Sequence, residues 1–267
     1  MRNFGSFYNQ FIKENKLDVK FQNLKVLYIN NPKDSIWMHK IWIYYYSILD
    51  ELYCSRDFLV ISQYDLSCNV FNIKALDKNR DDLKIEHRGF KIYDEMLKTS
   101  FLKSMNIYDK IAVLLNHFED LNMLERYVFF YGKNSIFKKS KILNKNPNNK
   151  YLLELNEMQK KFDTKTDLFK MKNYRNKLTH NYFVIHNDCN INTIKHPYAK
   201  SRNLVTRQNK FSHIIYNDLL KYTIKSLKLN IKAIAITLDF INNKKRIDIK
   251  NFNQNKVFVA KCGDNLD

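Results

Sequence analysis

Glycine and proline are scarce in this chain, with four and three residues among 267. Few positions force a turn, no Gly-rich phosphate loop is present, and long helices are favoured. The four cysteines, Cys54, Cys68, Cys189 and Cys262, include no close pair, and neither a Cys-x-x-Cys nor a His-x3-His array occurs. That pattern supports no zinc site; the reading is free thiols in a reducing, cytoplasmic compartment, with no metal and no cofactor. No apolar run approaches the ~18 residues a bilayer span requires, and the start Met1-Arg2-Asn3-Phe4 does not read as a signal peptide, so no membrane partner is expected.

Acidic charge is also short. Forty-six Lys and Arg face 27 Asp and Glu, leaving a formal charge of +19. Such an excess attracts polyanions and speeds encounter with nucleic acid; an anionic membrane surface and an acidic protein partner are the alternatives. Hydrophobic residues make up 45% of the chain and aromatics 14%, which is enough for a folded core.

Along the chain, residues 1–33 read as an N-terminal extension. Phe7 to Lys16 suits a short helix, and Val19, Phe21, Leu24, Val26 and Tyr28 alternate as a small hairpin would. Asn30-Asn31-Pro32 breaks the chain, and Asp34 or Ser35 can cap a helix whose stripe is Trp37, Ile41, Tyr45, Ile48 and Leu52. Phe58 to Leu76 reads as further helix and Lys78 to Gly89 as a charged loop. From Asp94, the residues Leu97, Phe101, Met105, Tyr108, Leu115 and Phe118 keep one face apolar; Asp109 and Asn116 share another. Leu152, Leu155, Met158 and Phe162 mark a short helix. A long one begins near Ser212, with Leu220, Ile224, Leu227, Ile231, Ile234, Leu238 and Ile241 forming a heptad seam suited to bundle packing or a dimer interface. The expected class is therefore all-α, a helical bundle over residues 34–242. A basic tail over 243–267 follows, in which Ile247, Ile249, Val257 and Val259 suit two short strands. Residues 131–150 form a basic insertion whose Lys138, Lys139 and Lys141 are candidates for RNA-backbone contact; a solvated loop is the plain alternative.

The stretch Met171 to Tyr182 carries the chemistry. Leu168, Met171, Tyr174, Leu178, Tyr182 and Ile185 follow helical steps of three and four, with Thr166 as the cap. Asn176 and His180, four apart, neighbour each other on the face away from Leu178, while Arg175 lies to the side, about 140° from His180 by rotation. A histidine near neutral pKa can move protons, an amide can orient its ring, and a guanidinium forks onto phosphate. Without metal ligands, this set points to RNA cleavage by attack of a 2′-hydroxyl on the adjacent phosphorus, with His180 transferring protons, Arg175 stabilising phosphoryl charge and Asn176 orienting. Arg175 and His180 are expected to sit opposite the stripe, where truncation leaves no core cavity. Asp109 is a candidate to orient either of them, or else an exposed carboxylate beside a lysine. The same residues also suit a solvated helix surface.

Arg175 to His180 resembles the Arg-x4-His motif of the HEPN superfamily, with the polar residue that these proteins favour after the arginine. Tyr182 extends it to Arg-x4-His-x-Tyr, similar to the toxins of HEPN–MNT pairs. Ile107 to Ala112, running on to Asn116-His117-Phe118, resembles an earlier core helix of larger HEPN proteins. The resemblance implies a helical, homodimeric, metal-independent endoribonuclease acting on RNA in a toxin–antitoxin or phage-defence system, with an antitoxin or defence protein as partner. It also implies that the Tyr182 hydroxyl is reachable for nucleotidylation, whereas its step from Leu178 argues for core packing. The rival reading is a non-catalytic helical module that binds RNA or protein.

Overall fold

The computed structural model describes residues 3–19, 21, 32–68, 92–138, 141–180, 182–186 and 211–249. Among them are seven α-helices: α1 (Phe4–Glu14), α2 (Pro32–Cys68), α3 (Ile92–Phe118), α4 (Lys141–Lys145), α5 (Lys150–Lys161), α6 (Asp167–His180) and α7 (Tyr216–Ile249). A single 3-10 turn spans Glu125–Tyr127, and β1 (Tyr182–His186) pairs in parallel with β2 (Phe211–Ile215). The all-α class expected from the sequence holds.

Several boundaries differ from the sequence reading. α2 starts at Pro32, ahead of Asp34 and Ser35, because proline is pre-set for a first helical turn. It then continues unbroken to Cys68, taking in the first part of the helix expected over Phe58 to Leu76, of which 69–76 lie outside the described residues. The charged loop at Lys78 to Gly89 and the hairpin residues Leu24 to Tyr28 lie outside the described residues; Val19 and Phe21 belong to no strand. Ser212 falls in β2, not in a helix, and α7 carries Ile247 and Ile249 as helical residues, not strand. Val257 and Val259 lie outside the described residues.

The chain divides into two compact units, Met1–Val19 with Glu51–Ile107 and Thr164–Asn230, and Lys20–Asp50 with Tyr108–Asp163 and Ile231–Asp267. In the first unit, Asn3 caps α1 by accepting from the Gly5 N–H at 2.9 Å. Phe4 and Phe7 set their rings 5.0 and 5.3 Å from Tyr64 on α2, and the Tyr8 hydroxyl donates to Asp57 at 2.7 Å.

Small polar residues line the helix contacts of this unit. Ser55, Ser62, Ser100, Ser104, Thr223, Ser226 and Asn230 are all buried. Short side chains let backbones approach, and each finds a partner: the Ser62 hydroxyl donates to the Tyr93 carbonyl at 2.8 Å, Asn230 Nδ2 to the Ser104 carbonyl at 2.7 Å, and Thr223 back to Leu219 at 2.7 Å. The most buried row of α7 here is thus Tyr216, Leu219, Thr223, Ser226 and Asn230, one residue ahead of the expected seam. Leu220 and Ile224 are half-buried.

The second unit has an aromatic core. Tyr108 packs against Phe130 and Phe162 at 5.3 and 5.0 Å, and Phe118 against Phe240 at 5.5 Å. Leu152, Leu155, Met158 and Phe162 are buried at and just beyond α5, as their spacing requires.

Candidate functional site

Helix α6 belongs to the first unit and is fixed at both ends. At its start, Thr166 precedes the first turn and its hydroxyl accepts from the Phe169 N–H at 3.5 Å. Asp167 follows, where a negative charge suits the helix dipole. Lys225 of α7 donates to it at 2.6 Å, and this hydrogen bond, aided by the charges of Lys170 and Lys221, holds its carboxyl below the usual range.

Leu168 and Met171 are buried. Arg175 comes next in steps of three and four, and it is half-buried with its Nε shut off from solvent. It therefore continues the packing side of α6, and the expectation that it faces solvent opposite an apolar stripe is corrected. Tyr174 and Leu178 of the expected stripe are half-buried like Arg175, while Leu168 and Met171 are covered. Asn176 is exposed, as is Thr179, whose hydroxyl donates to the carbonyls of Arg175 and Asn176 at 3.1 and 3.0 Å and ties up the last turn. His180 is the last residue of the helix.

The helix does not continue to Ile185. Tyr182 opens β1 opposite Phe211, because the run Tyr-Phe-Val-Ile is aromatic and β-branched and prefers an extended chain. The step of four from Leu178 to Tyr182 imitated a helical period without being one. Ile185 is buried all the same, as a strand residue opposite buried Ile214. The polar segment Asn187 to Lys210 lies outside the described residues.

Beside the motif, Tyr174 and Tyr222 set their rings 5.5 Å apart. Burial raises both phenol pKa values, Asp218 adding to the rise at Tyr174. The β2-to-α7 junction is fastened by Tyr216, whose hydroxyl lies 2.8 Å from the Ser62 hydroxyl and accepts from Gln63 Nε2 at 2.6 Å. Burial pushes its pKa up to about 12.

The other candidates lie in the second unit. Asp109 is half-buried and accepts from the Phe130 N–H at 3.1 Å, so it fixes the segment after α3. Asn116 is buried and clasps Met123 through both its amide groups, at 2.9 and 3.2 Å. Lys138 is paired with Asp163 at 2.6 Å. Lys139 and the side chain of Lys141 lie outside the described residues. Sequence patterns gave no sign of two further clusters in this unit. Glu119, with its side chain fully enclosed, receives Lys244 at 2.6 and 2.7 Å and Asn146 at 2.9 Å. His117 stacks on Tyr44 at 4.7 Å, and both reach the Glu125 carboxylate.

Among the described residues, no group of three or more His, Cys, Asp or Glu side chains is gathered to hold a metal ion. None of their helices is long and apolar enough to cross a membrane. A family model described as LA2681-like HEPN matches residues 69–244. No curated protein and no solved structure matches the chain.

Proposed function

Since the chain belongs to the LA2681-like HEPN family, we propose that it is a metal-independent endoribonuclease of a toxin or phage-defence system. The observation that carries this reading is that Arg175, Asn176 and His180 all fall on the last two turns of α6, within the matched residues. The charge of +19 supports a polyanionic substrate.

In this reading a 2′-hydroxyl gives its proton to His180 and attacks the adjacent phosphorus. The new 2′-O–P bond forms as the P–O5′ bond breaks, leaving a cyclic phosphate and a 5′-hydroxyl that takes up a proton. Arg175 stabilises charge on the non-bridging oxygens, and Asn176 orients the imidazole. One helix carries one such histidine, and positions 175 and 180 are about 140° apart by helical rotation. A homodimer that brings two copies of α6 together supplies the missing groups. Tyr182, two residues beyond His180, is the point where nucleotidylation by an antitoxin would add charge that competes with substrate phosphate.

The test is cleavage of single-stranded RNA in EDTA by the wild type and by His180→Ala. Cleavage lost in the variant alone is the expected result, and equal cleavage by both rejects it. A second reading, an RNA- or protein-binding module that does not cleave, draws on the half-burial of Arg175, whose Nε is shut off from solvent. Tight RNA binding with no cleavage by the wild type would establish it.

A further inference from the structure

Lysines flank the seam between α6 and α7 on both sides. Asp167 meets Lys225 and, two turns on, Tyr174 meets Tyr222, so the two helices run antiparallel here. On α6, exposed Lys170 and Lys177 stand two turns apart with Tyr174 between them, Lys177 Nζ lying 6.0 Å from that ring. On α7, exposed Lys221 and Lys228 are likewise two turns apart with Lys225 between them. Asp167 takes Lys225 of α7 at 2.6 Å and Lys170 of α6 at 4.0 Å, so the two lysine rows meet at one carboxylate.

The seam differs from the other charged regions in its balance. At several other places a lysine meets a carboxylate one to one, as Lys138 does with Asp163, Lys160 with Glu157, Lys232 with Glu154 and Lys103 with Glu51, and at Glu119 two lysines, Lys244 and Lys145, share one carboxylate. Here five lysines share Asp167 and Asp218, and Asp167 is taken by Lys225. Lys177, Lys221 and Lys228 have no ion-pair partner among the described residues.

We propose that this seam is an RNA track, on which the phosphates of an extended strand rest against Lys170, Lys177, Lys221 and Lys228. The proposal rests on the ribonuclease reading for the choice of RNA as the polyanion. Two features favour RNA over an acidic protein. Cations repeated along a helix seam with aromatic rings between them follow a sugar-phosphate chain. The track also lies on the motif helix, where position 180 comes one turn after Lys177 and about 60° around from it.

The test uses a 5′-fluorescein oligouridylate of about 12 nucleotides, within the usual span of single-strand sites. The protein carries His180→Ala so that the probe stays intact, and anisotropy is followed from about 50 to 200 mM KCl. Each phosphate contact on a single strand contributes about 0.7 to the slope of log K against log salt, so Lys170→Gln/Lys177→Gln/Lys221→Gln should flatten it by about 2. Lys160→Gln, an exposed lysine of the other unit, should leave it unchanged. An unaltered slope in the triple variant overturns the track, as does equal flattening by Lys160→Gln or displacement of the probe by polyglutamate as readily as by unlabelled RNA. Cleavage of the same probe by protein with His180 intact reports on the ribonuclease reading alone. No cleavage together with a flattened slope rejects that reading and leaves the track standing.

Discussion

Ser55 on α2 and Ser100 on α3 each donate a hydroxyl hydrogen bond of 2.7 Å to the other's backbone carbonyl. The two side chains are fully buried, and their hydroxyl oxygens lie 3.4 Å apart. The helices come this close because neither position carries more than one heavy atom beyond Cβ. Ser100→Leu should therefore cost about 1–3 kcal/mol through overpacking. Ser55→Ala and Ser100→Ala should each cost about 1 kcal/mol, and their double-mutant cycle in urea should show coupling. Strict additivity would mean that the two bonds do not depend on each other.

The catalytic candidates should separate by stability as well as by activity. His180→Ala should lower cleavage by about 10²–10⁴-fold, the usual contribution of a proton-transfer group. Arg175→Ala should lose cleavage and also about 1 kcal/mol of stability, because the stem of a half-buried arginine packs. A thermal melt identical to that of the wild type would contradict the placement of Arg175 on the packing side of α6.

Glu119 offers a stability test in the second unit. Its enclosed carboxylate balances Lys244 and is bonded by Asn146. Glu119→Ala leaves that lysine unbalanced and should cost about 2–3 kcal/mol, less than a fully buried pair because Lys244 keeps some access to water. Glu119→Gln should cost less. Urea midpoints of the two variants decide it, and a neutral Glu119→Ala would refute the role.

A pH dependence follows from Glu125. The hydrogen bond from Tyr44, and after it that of His117, holds its carboxyl below the ordinary value of 4.5. A lowered folded-state pKa contributes stability that is present above the unfolded value and is lost as pH falls through the folded one. Wild type should thus melt above Tyr44→Phe at neutral pH, and the gap should close as pH drops below 4.5. A gap that stays constant down to pH ~2 would mean that the Glu125 carboxylate is not involved.

Periodicity made some elements legible and disguised others. In α5 the spacing of Leu152, Leu155 and Met158 announced the buried face, because the residues that pack there are apolar. In α7 the covered row runs through Thr223, Ser226 and Asn230, which no hydrophobic pattern distinguishes from a solvated face. At the motif, Leu168 and Met171 already pointed along the helix to position 175. The charge of Arg175 argued against following them there, although a long side chain can pack its stem and keep its head for other work. The extra helical turn assigned to Tyr182 arose from a chance step of four, where β-branched and aromatic content was the better guide.

The parallel ribbon beside the motif also bears on the order of assembly. β1 follows α6 after a single residue, yet its partner strand comes only after the long connection that two parallel strands require. Closing that connection costs entropy before any ladder bond repays it. During synthesis, a chain released before Phe211 to Ile215 has the motif helix without the strand that pairs with β1.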